Sequence, residues 1–282
     1  MGGRARIVLY ARDQATAEKA ARAAFDRIAF LEDVMSDYRP TSEINRLSAS
    51  ALGGAVQVSP ELLFILRKSR ELSRRSGGAF DVTVGPLVKL WRKARKSGVL
   101  PNSEEISAAR KLVGWRKITL DSDASTAQLE VPGMQLDLGG IAKGYACDEA
   151  MRILKRAGTR SALVEMGGDV VVGDPPPGKT GWEIEIANTD PAHRKLILSN
   201  SAISSSGDTE QFVEIGGIRY SHIVDPRTGL GLTSRIAVTV IAPNGVTSDG
   251  LSTAISVLGE KRGRTLAGTY PGVSVYIRTA SN

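Results

Sequence analysis

The residues of this sequence most able to do chemistry sit in four short stretches. In "LDLGGIAKGYACDEAMRIL" (Leu136–Leu154), Asp137 is followed by the pair Gly139-Gly140 and then by Lys143, in the first turn of an amphipathic helix. A cation there faces the positive end of the helix macrodipole, at a cost of roughly 0.3–1 kcal/mol. The cost vanishes if an anion lies between them. A helix start offers unpaired N–H groups, and glycine lets a phosphate or carboxylate approach the backbone. The plainer alternative is that Lys143 pairs with Asp137 or Asp148. The GxxxxGK[ST] spacing of a Walker phosphate loop is absent.

In "TSDGLSTAISVLG" (Thr247–Gly259), Asp249 and Thr253 are four residues apart on an expected helix, so their oxygens point the same way. A carboxylate and a hydroxyl are hard ligands that suit Mg²⁺ or Ca²⁺ better than zinc. Two protein ligands suffice for magnesium if water and substrate phosphates supply the rest. Alternatively, Asp249 caps its own helix and Thr253 bonds back to the preceding turn.

"SGGAFDVTVGPLVKLW" (Ser76–Trp91) reads as a loop bearing Ala79, one flat ring, Phe80, and one acid, Asp81. It could clamp a planar ligand, or it could be a helix stop followed by a core phenylalanine. In "RYSHIVDPRTGLGL" (Arg219–Leu232), His222 precedes a turn over Asp225–Gly229. A histidine titrating near neutrality can serve as acid, base or ligand contact, with a structural role as the alternative. The second histidine, His193, falls in a polar surface loop.

These stretches need elements to hold them. Helices are expected over Thr16–Glu32, from Pro60 to about Ser73, over Ser103–Lys111, in the Asp137 segment up to Gly158, and over Ser248–Leu258. Ser59-Pro60-Glu61 supplies an N-cap hydroxyl, a proline at the first helical position and an acid in the first turn. Strand-like runs fall at Ala5–Tyr10, Lys117–Leu120, Gln128–Val131, Ala162–Glu165, Val170–Val172, Trp182–Ala187, Lys195–Leu198, Ala202–Ser205, Phe212–Ile215, Ile236–Ile241 and Val273–Ile277. Short Gly, Asp or Asn turns between them favour antiparallel pairing. The expected class is α+β in a single domain, residues 1–282.

Bulk composition narrows the function. With 282 residues, 41% of them hydrophobic, the chain can bury a sizeable core. Aromatics make up only 5%, and the net charge of +7 is dispersed in short clusters, Arg67–Arg75, Lys89–Lys96 and Arg152–Arg160. That argues against nucleic-acid binding, which favours a concentrated basic stripe or stacking platform. The single cysteine, Cys147, allows no internal disulfide and no thiolate zinc cluster. No apolar run approaches the roughly 18 residues of a membrane span. The start at Met1, followed at once by a strand pattern, leads to the expectation of a sequence without a leader peptide, either because none existed or because one was removed.

Taken in order, "VMSDYRPTSEINRL", "GGAFDVTVGPLVKLW", "LDLGGIAKGYACDEAMRIL", "ALVEMGGDVVVG", "SSSGDTEQF", "YSHIVDPRTG" and "SDGLSTAISVLG" resemble the ApbE family, the FAD:protein FMN transferases. The resemblance runs from about Met1 to Gly259. It implies a mostly antiparallel, T-fold-related sheet with packed helices. It also implies Mg²⁺-dependent transfer of FMN from FAD to a threonine or serine hydroxyl of a target flavoprotein, with release of AMP. By the same resemblance Asp137, Lys143, Ala79, Phe80 and Asp81 contact FAD, and Met35 and Ile223 lie against the flavin. Magnesium is held by the Gly140 carbonyl with Asp249 and Thr253, and His222 or a nearby carboxylate takes the proton of the attacking hydroxyl. The implied acceptors are flavoprotein subunits of bacterial membrane electron-transfer complexes, and the implied location is the periplasm or cell envelope, with the cytoplasm still open. Alternative readings are an FAD pyrophosphatase giving FMN and AMP, a non-catalytic FAD-binding or delivery protein, and a charged interaction protein with a degenerate site.

The sequence departs from the family where Ser248, Gly250 and Ser252 replace the usual alanines, giving "SDGLSTA" against "ADALATA". It departs again in "SSSGDTEQF", an incomplete match to the family's "TSGDYER". Glycine inside a helix costs about 1 kcal/mol against alanine, so Gly250 is expected to loosen the metal site, and the departures together to tilt the balance between transfer and hydrolysis.

Overall fold

The structure, a computed structural model, describes residues 4–51, 53–186, 195–207 and 212–279. The chain enters on strand β1 (Ala5–Leu9) and turns into helix α1 (Gln14–Met35). Asp13 caps α1 by accepting from the Thr16 N–H, and Ala20, Ala24, Ile28, Leu31 and Met35 form its buried stripe. The short α2 (Glu43–Ala49) and β2 (Val56–Gln57) lead to α3 (Pro60–Arg75). Here the sequence signal works as expected: the Ser59 hydroxyl accepts from the Leu62 N–H at 3.2 Å, and Pro60 occupies a position that needs no N–H.

The segment after Phe80 is not the plain loop expected. Residues Gly85–Ser97 form α4, with Pro86 inside its first turn, Leu87, Trp91 and Ala94 buried, and Gly98 closing it in the left-handed region at φ 70°. The next helix, α5 (Ser103–Lys111), has the expected bounds and a full capping box between Asn102 and Glu105. Strands β3 (Ile118–Asp121) and β4 (Thr126–Leu129) make a hairpin that pairs with β2. Helix α6 (Ala142–Arg156) and strands β5 (Ala162–Met166) and β6 (Asp169–Val172) follow, the strands joined by Gly167-Gly168, both at positive φ.

Strands β7 (Trp182–Glu185) and β8 (Lys195–Leu198) pair with each other, as do β10 (Phe212–Ile215) and β11 (Ile218–Ser221). Between these pairs runs β9 (Ser201–Gly207). The chain ends its described course with β12 (Ile236–Ala242), α7 (Gly245–Leu258), α8 (Glu260–Ala267) and β13 (Ser274–Thr279). Helices α2, α4 and α8 and strands β2 and β11 were not foreseen. Ala187, the expected end of one strand, lies outside the described residues, as does His193.

The main sheet has the order β1-β5-β6-β9-β12-β13, antiparallel at every step. Helix α6 packs on β5 and β6, α7 on β9 and β12, and α1 on α6. One hydrophobic core joins this layer to α3 and includes Leu62, Leu66, Ala146, Leu154, Val164, Val240 and Leu251. The architecture is therefore the expected α+β arrangement of mostly antiparallel sheet with helices. Its consequence for function is that α6 and α7, which are about a hundred residues apart in sequence, lie side by side with both N-termini in the same region. No described helix is long and apolar enough to cross a membrane.

Candidate active site

The two helices meet at glycines. A Cβ added to Gly144 would sit 2.1 Å from the Gly245 carbonyl oxygen, and one added to Gly245 would sit 2.3 Å from the Gly144 carbonyl oxygen. Only residues without a side chain permit such an approach. Each helix then supplies a carboxylate to the other's first turn. Asp249 of α7 accepts from the Gly144 N–H at 3.0 Å, and Asp148 of α6 accepts from the N–H groups of Gly245 and Val246 at 2.7 and 2.9 Å. Asp249 therefore does not cap its own helix. That task belongs to Asn244, which accepts from the Thr247 N–H.

Lys143 projects from this crossing. Its Nζ lies 2.6 Å from Asp169 Oδ2 and 3.4 Å from Asp249 Oδ1. Neither is a partner offered by spacing alone: Asp137 and Asp148 are occupied elsewhere, and the observed partners come from a strand and a distant helix. Burial opposes the charge on Lys143, but the Asp249 and Asp169 carboxylates outweigh it and hold the ammonium pKa above its ordinary value. Burial, reinforced by the nearby Asp249 charge, pushes Asp169 up to about 7 against the opposing pull of Lys143. Both acids are almost wholly inaccessible. Two buried carboxylates thus share one ammonium group, an arrangement that favours one further positive charge.

The donors fit a hard cation. Thr253 lies one turn beyond Asp249 on α7, and a Cβ placed on Gly140 would be only 2.9 Å from its hydroxyl oxygen. Asp249, Thr253 and the Gly140 backbone thereby gather where an oxygen-ligated metal could sit. Among the described residues no cluster of three or more His, Cys, Asp or Glu side chains forms a metal cage.

A second ionic group flanks the first. Asp137 accepts from the Gly139 N–H at 2.8 Å and from Arg92 at 3.2 Å, and Arg92 also binds Asp37. Desolvation raises the pKa of Asp137, with the Asp37 charge adding to it, while the Gly139 N–H and Arg92 oppose. The Arg92 guanidinium lies 4.3 Å from the ring of Tyr38, an exposed aromatic. The sequence reading assigned no role to Arg92, which became visible only once α4 was known to be a helix.

The remaining predicted positions fall in two environments. Ala79 and Ile223 pack in one small cluster with Val257, which brings both loops against the C-terminal half of α7. His222 is half-buried next to Ile223. The turn beyond it is rigid, with Asp225 paired to Arg227 and the Trp91 N–H donating to the Gly229 carbonyl at 2.9 Å. Phe80 and Met35, by contrast, belong to the main core, exposed by only 4% and 2%. The Phe80 ring is thus a core ring, not an open platform. Asp81 is buried and accepts from the Thr83 N–H and hydroxyl and the Trp115 N–H, so it organises its own loop. Desolvation raises its pKa, and those hydrogen bonds oppose the shift.

The departures from the family pattern turn out to be matched to one another. Ser248 and Ser252 of α7 bond to Ser204 and Ser206 of β9, each at 2.7 Å. A Cβ on Gly250 would lie 2.8 Å from the Cδ2 end of Leu72 on α3, so an alanine there would make the Leu72 side chain shift. Residues 208–211 of "SSSGDTEQF" lie outside the described structure. Asp169, the carboxylate nearest Lys143, lies in the stretch "ALVEMGGDVVVG" and carries no role in the sequence reading. An acid heading an otherwise apolar strand, straight after two glycines, was the signal available.

Against this geometry the comparisons with known proteins are consistent. The sequence model of the ApbE family matches residues 1–277. The FAD:protein FMN transferase of Vibrio cholerae is 34% identical over 244 residues, covering 84% of this chain and 72% of the relative. That of Haemophilus influenzae is 33% identical over 249 residues, covering 83% and 72%. Among solved structures, a histidine-to-glycine variant of the flavin transferase ApbE from Vibrio cholerae superposes with a TM-score of 0.86 at 31% identity, covering 100% of this chain and 92% of that one. The ApbE protein of Thermotoga maritima gives a TM-score of 0.86 at 31% identity, covering 99% and 91%. The chain belongs to the ApbE family and is, with its relatives, a transferase.

Proposed function

We propose that this chain moves FMN from FAD to a threonine or serine hydroxyl of an acceptor flavoprotein, with magnesium bound and AMP as the leaving product. The observation that carries the reading is the cluster in which buried Asp169 and Asp249 face the ammonium of Lys143, with Thr253 and Gly140 beside it. Asp249, Thr253 and the Gly140 carbonyl would hold the metal, which when bound offsets charge on the phosphate oxygens. Lys143 donates to the pyrophosphate from the other side. Asp137, kept in place by Arg92 and Gly139, contacts the dinucleotide, and Ala79 and Ile223 line the flavin end.

In the transfer step the acceptor oxygen bonds to the phosphorus nearer riboflavin. The bond from that phosphorus to the bridging oxygen breaks, AMP departs with the electron pair, and the hydroxyl proton passes to His222. Positioning and charge stabilisation are most of what phosphoryl transfer requires, and Lys143 together with a metal held by Asp249 and Thr253 would supply both. The same reading takes the acceptors to be flavoprotein subunits of membrane electron-transfer complexes and the site of action to be the cell envelope.

The test is to mix the protein with FAD, Mg²⁺ and an acceptor flavoprotein and weigh the acceptor. The expected result is a gain of one FMN with AMP released in equal amount, both lost in Asp249→Ala. AMP without a mass gain would identify hydrolysis instead, and neither product would leave a binding protein. Unchanged turnover in the Asp249→Ala variant would refute the metal assignment.

A further inference from the structure

The Asp249–Thr253 pair is useful only if α7 is held at one height and one rotation against α6. A slip of a single residue along α7 would move Asp249 by about 1.5 Å and turn it by about 100°. The Gly144–Gly245 contact fixes how closely the helices approach, but a contact between two backbones does not by itself fix rotation. The directional bonds at the crossing are those of Asp249 to the Gly144 N–H and of Asp148 to the N–H groups of Gly245 and Val246. The first uses the metal-binding carboxylate itself. The second uses a residue to which the proposed reaction assigns no part.

We propose that Asp148 is a positioning residue for the metal site: by gripping the first two N–H groups of α7 from α6, it sets where Asp249 and Thr253 stand relative to Gly140 and Lys143. The proposal rests on the reading of Asp249 and Thr253 as metal ligands. Its geometry is specific. The two carboxylate oxygens of Asp148 are divided, Oδ1 to Gly245 and Oδ2 to Val246, so the grip resists both translation and rotation of the helix start. Asp148 lies four residues before Arg152 and five after Lys143, so it anchors the side of α6 away from the ammonium. Asn244, the N-cap residue just before α7, accepts from the Thr247 N–H and so stabilises the helix start from its own stretch of chain and not from α6. Outer residues that orient metal ligands commonly carry about 10–100-fold of metal affinity.

Asn244 therefore provides the control. In Asp148→Asn one acceptor oxygen is replaced by an amide that cannot accept, whereas Asn244→Ala removes an ordinary cap from the same helix. Full-length variants are titrated with Mg²⁺ by calorimetry and with FAD, without metal, by flavin fluorescence, and amide exchange is followed at Gly144. Asp148→Asn is expected to weaken Mg²⁺ binding about tenfold, to leave metal-free FAD affinity within about twofold and to speed exchange of the Gly144 N–H as Asp249 loses register. Asn244→Ala is expected to lower the melting temperature with neither change. Equal effects of the two variants, or a Gly144 N–H still protected in Asp148→Asn, overturn the proposal. Should the unaltered protein bind no Mg²⁺, the metal reading fails, and Gly144 exchange alone still decides whether Asp148 sets the register. Should Asp148→Asn not fold, Asp148→Glu, which keeps the charge and shifts it by one methylene, takes its place with the same expectations.

Discussion

Asp169 shows how a single residue makes the site both costly and responsive. Burial and the Asp249 charge lift its pKa to about 7, far above the ordinary aspartate range, so its ionised form is disfavoured in the folded protein despite Lys143. In the unfolded chain the same group ionises near pH 4. Between these limits the folded state holds the extra proton, so stability falls as pH rises from about 4 to 7, and the cost is fully present above that. Asparagine mimics the protonated form at every pH. Without metal, Asp169→Asn is therefore expected to melt higher than the unaltered protein at pH 8, and the difference is expected to shrink toward pH 5. Thermal melts at the two pH values check this, and a difference that grows on acidification would show that Asp169 is stabilised by ionising.

At the scale of elements, legibility followed the range of the interactions. Helices α3 and α5 announce themselves through caps within three residues, Ser59 with Leu62 and Asn102 with Glu105, and both were placed closely. Helix α4 falls inside a stretch expected to be a loop, because its N-cap Val84 makes no side-chain capping bond and its first turn opens on Gly85-Pro86, although proline is at home there. The Asp249–Thr253 pair was legible because a helix has a known period. The Gly144–Gly245 crossing and the Lys143–Asp169 bond were not, since each joins residues whose proximity only the tertiary fold creates. The same holds for the serines. Ser248 stands where the family has alanine, and its partner Ser204, 44 residues away, meets it only in the folded chain. Ser248→Ala should cost about 1 kcal/mol by removing one of the two partners of the Ser204 hydroxyl, which keeps its bond to Asp169. Ser204→Ala also removes a hydrogen bond to Asp169, so in a double-mutant cycle in urea the double variant should lose less than the sum of the two single variants without regaining the unaltered stability. Strict additivity would mean the two hydroxyls do not depend on each other.

At the scale of the whole molecule, the site draws on α4, the Asp137 segment, α6, β6 and α7, spread from Arg92 to Thr253. A ligand bound there touches elements that unfolding would separate, so it binds the folded chain and not the unfolded one. Such a ligand stabilises by RT ln(1 + [L]/Kd), about 2.7 kcal/mol at a hundredfold excess over Kd. For a chain of this length each kcal/mol moves the melting temperature by roughly 2–4 °C. FAD with Mg²⁺ at that excess should therefore raise the melting temperature by roughly 5–10 °C. Because Lys143 is the cation meant to meet the pyrophosphate, Lys143→Ala should lose most of the shift at the same concentrations. Scanning fluorimetry over a series of FAD concentrations separates the outcomes. A shift kept in full by Lys143→Ala would place the dinucleotide away from the α6–α7 crossing, and with it would go the assignment of that crossing as the centre of transfer.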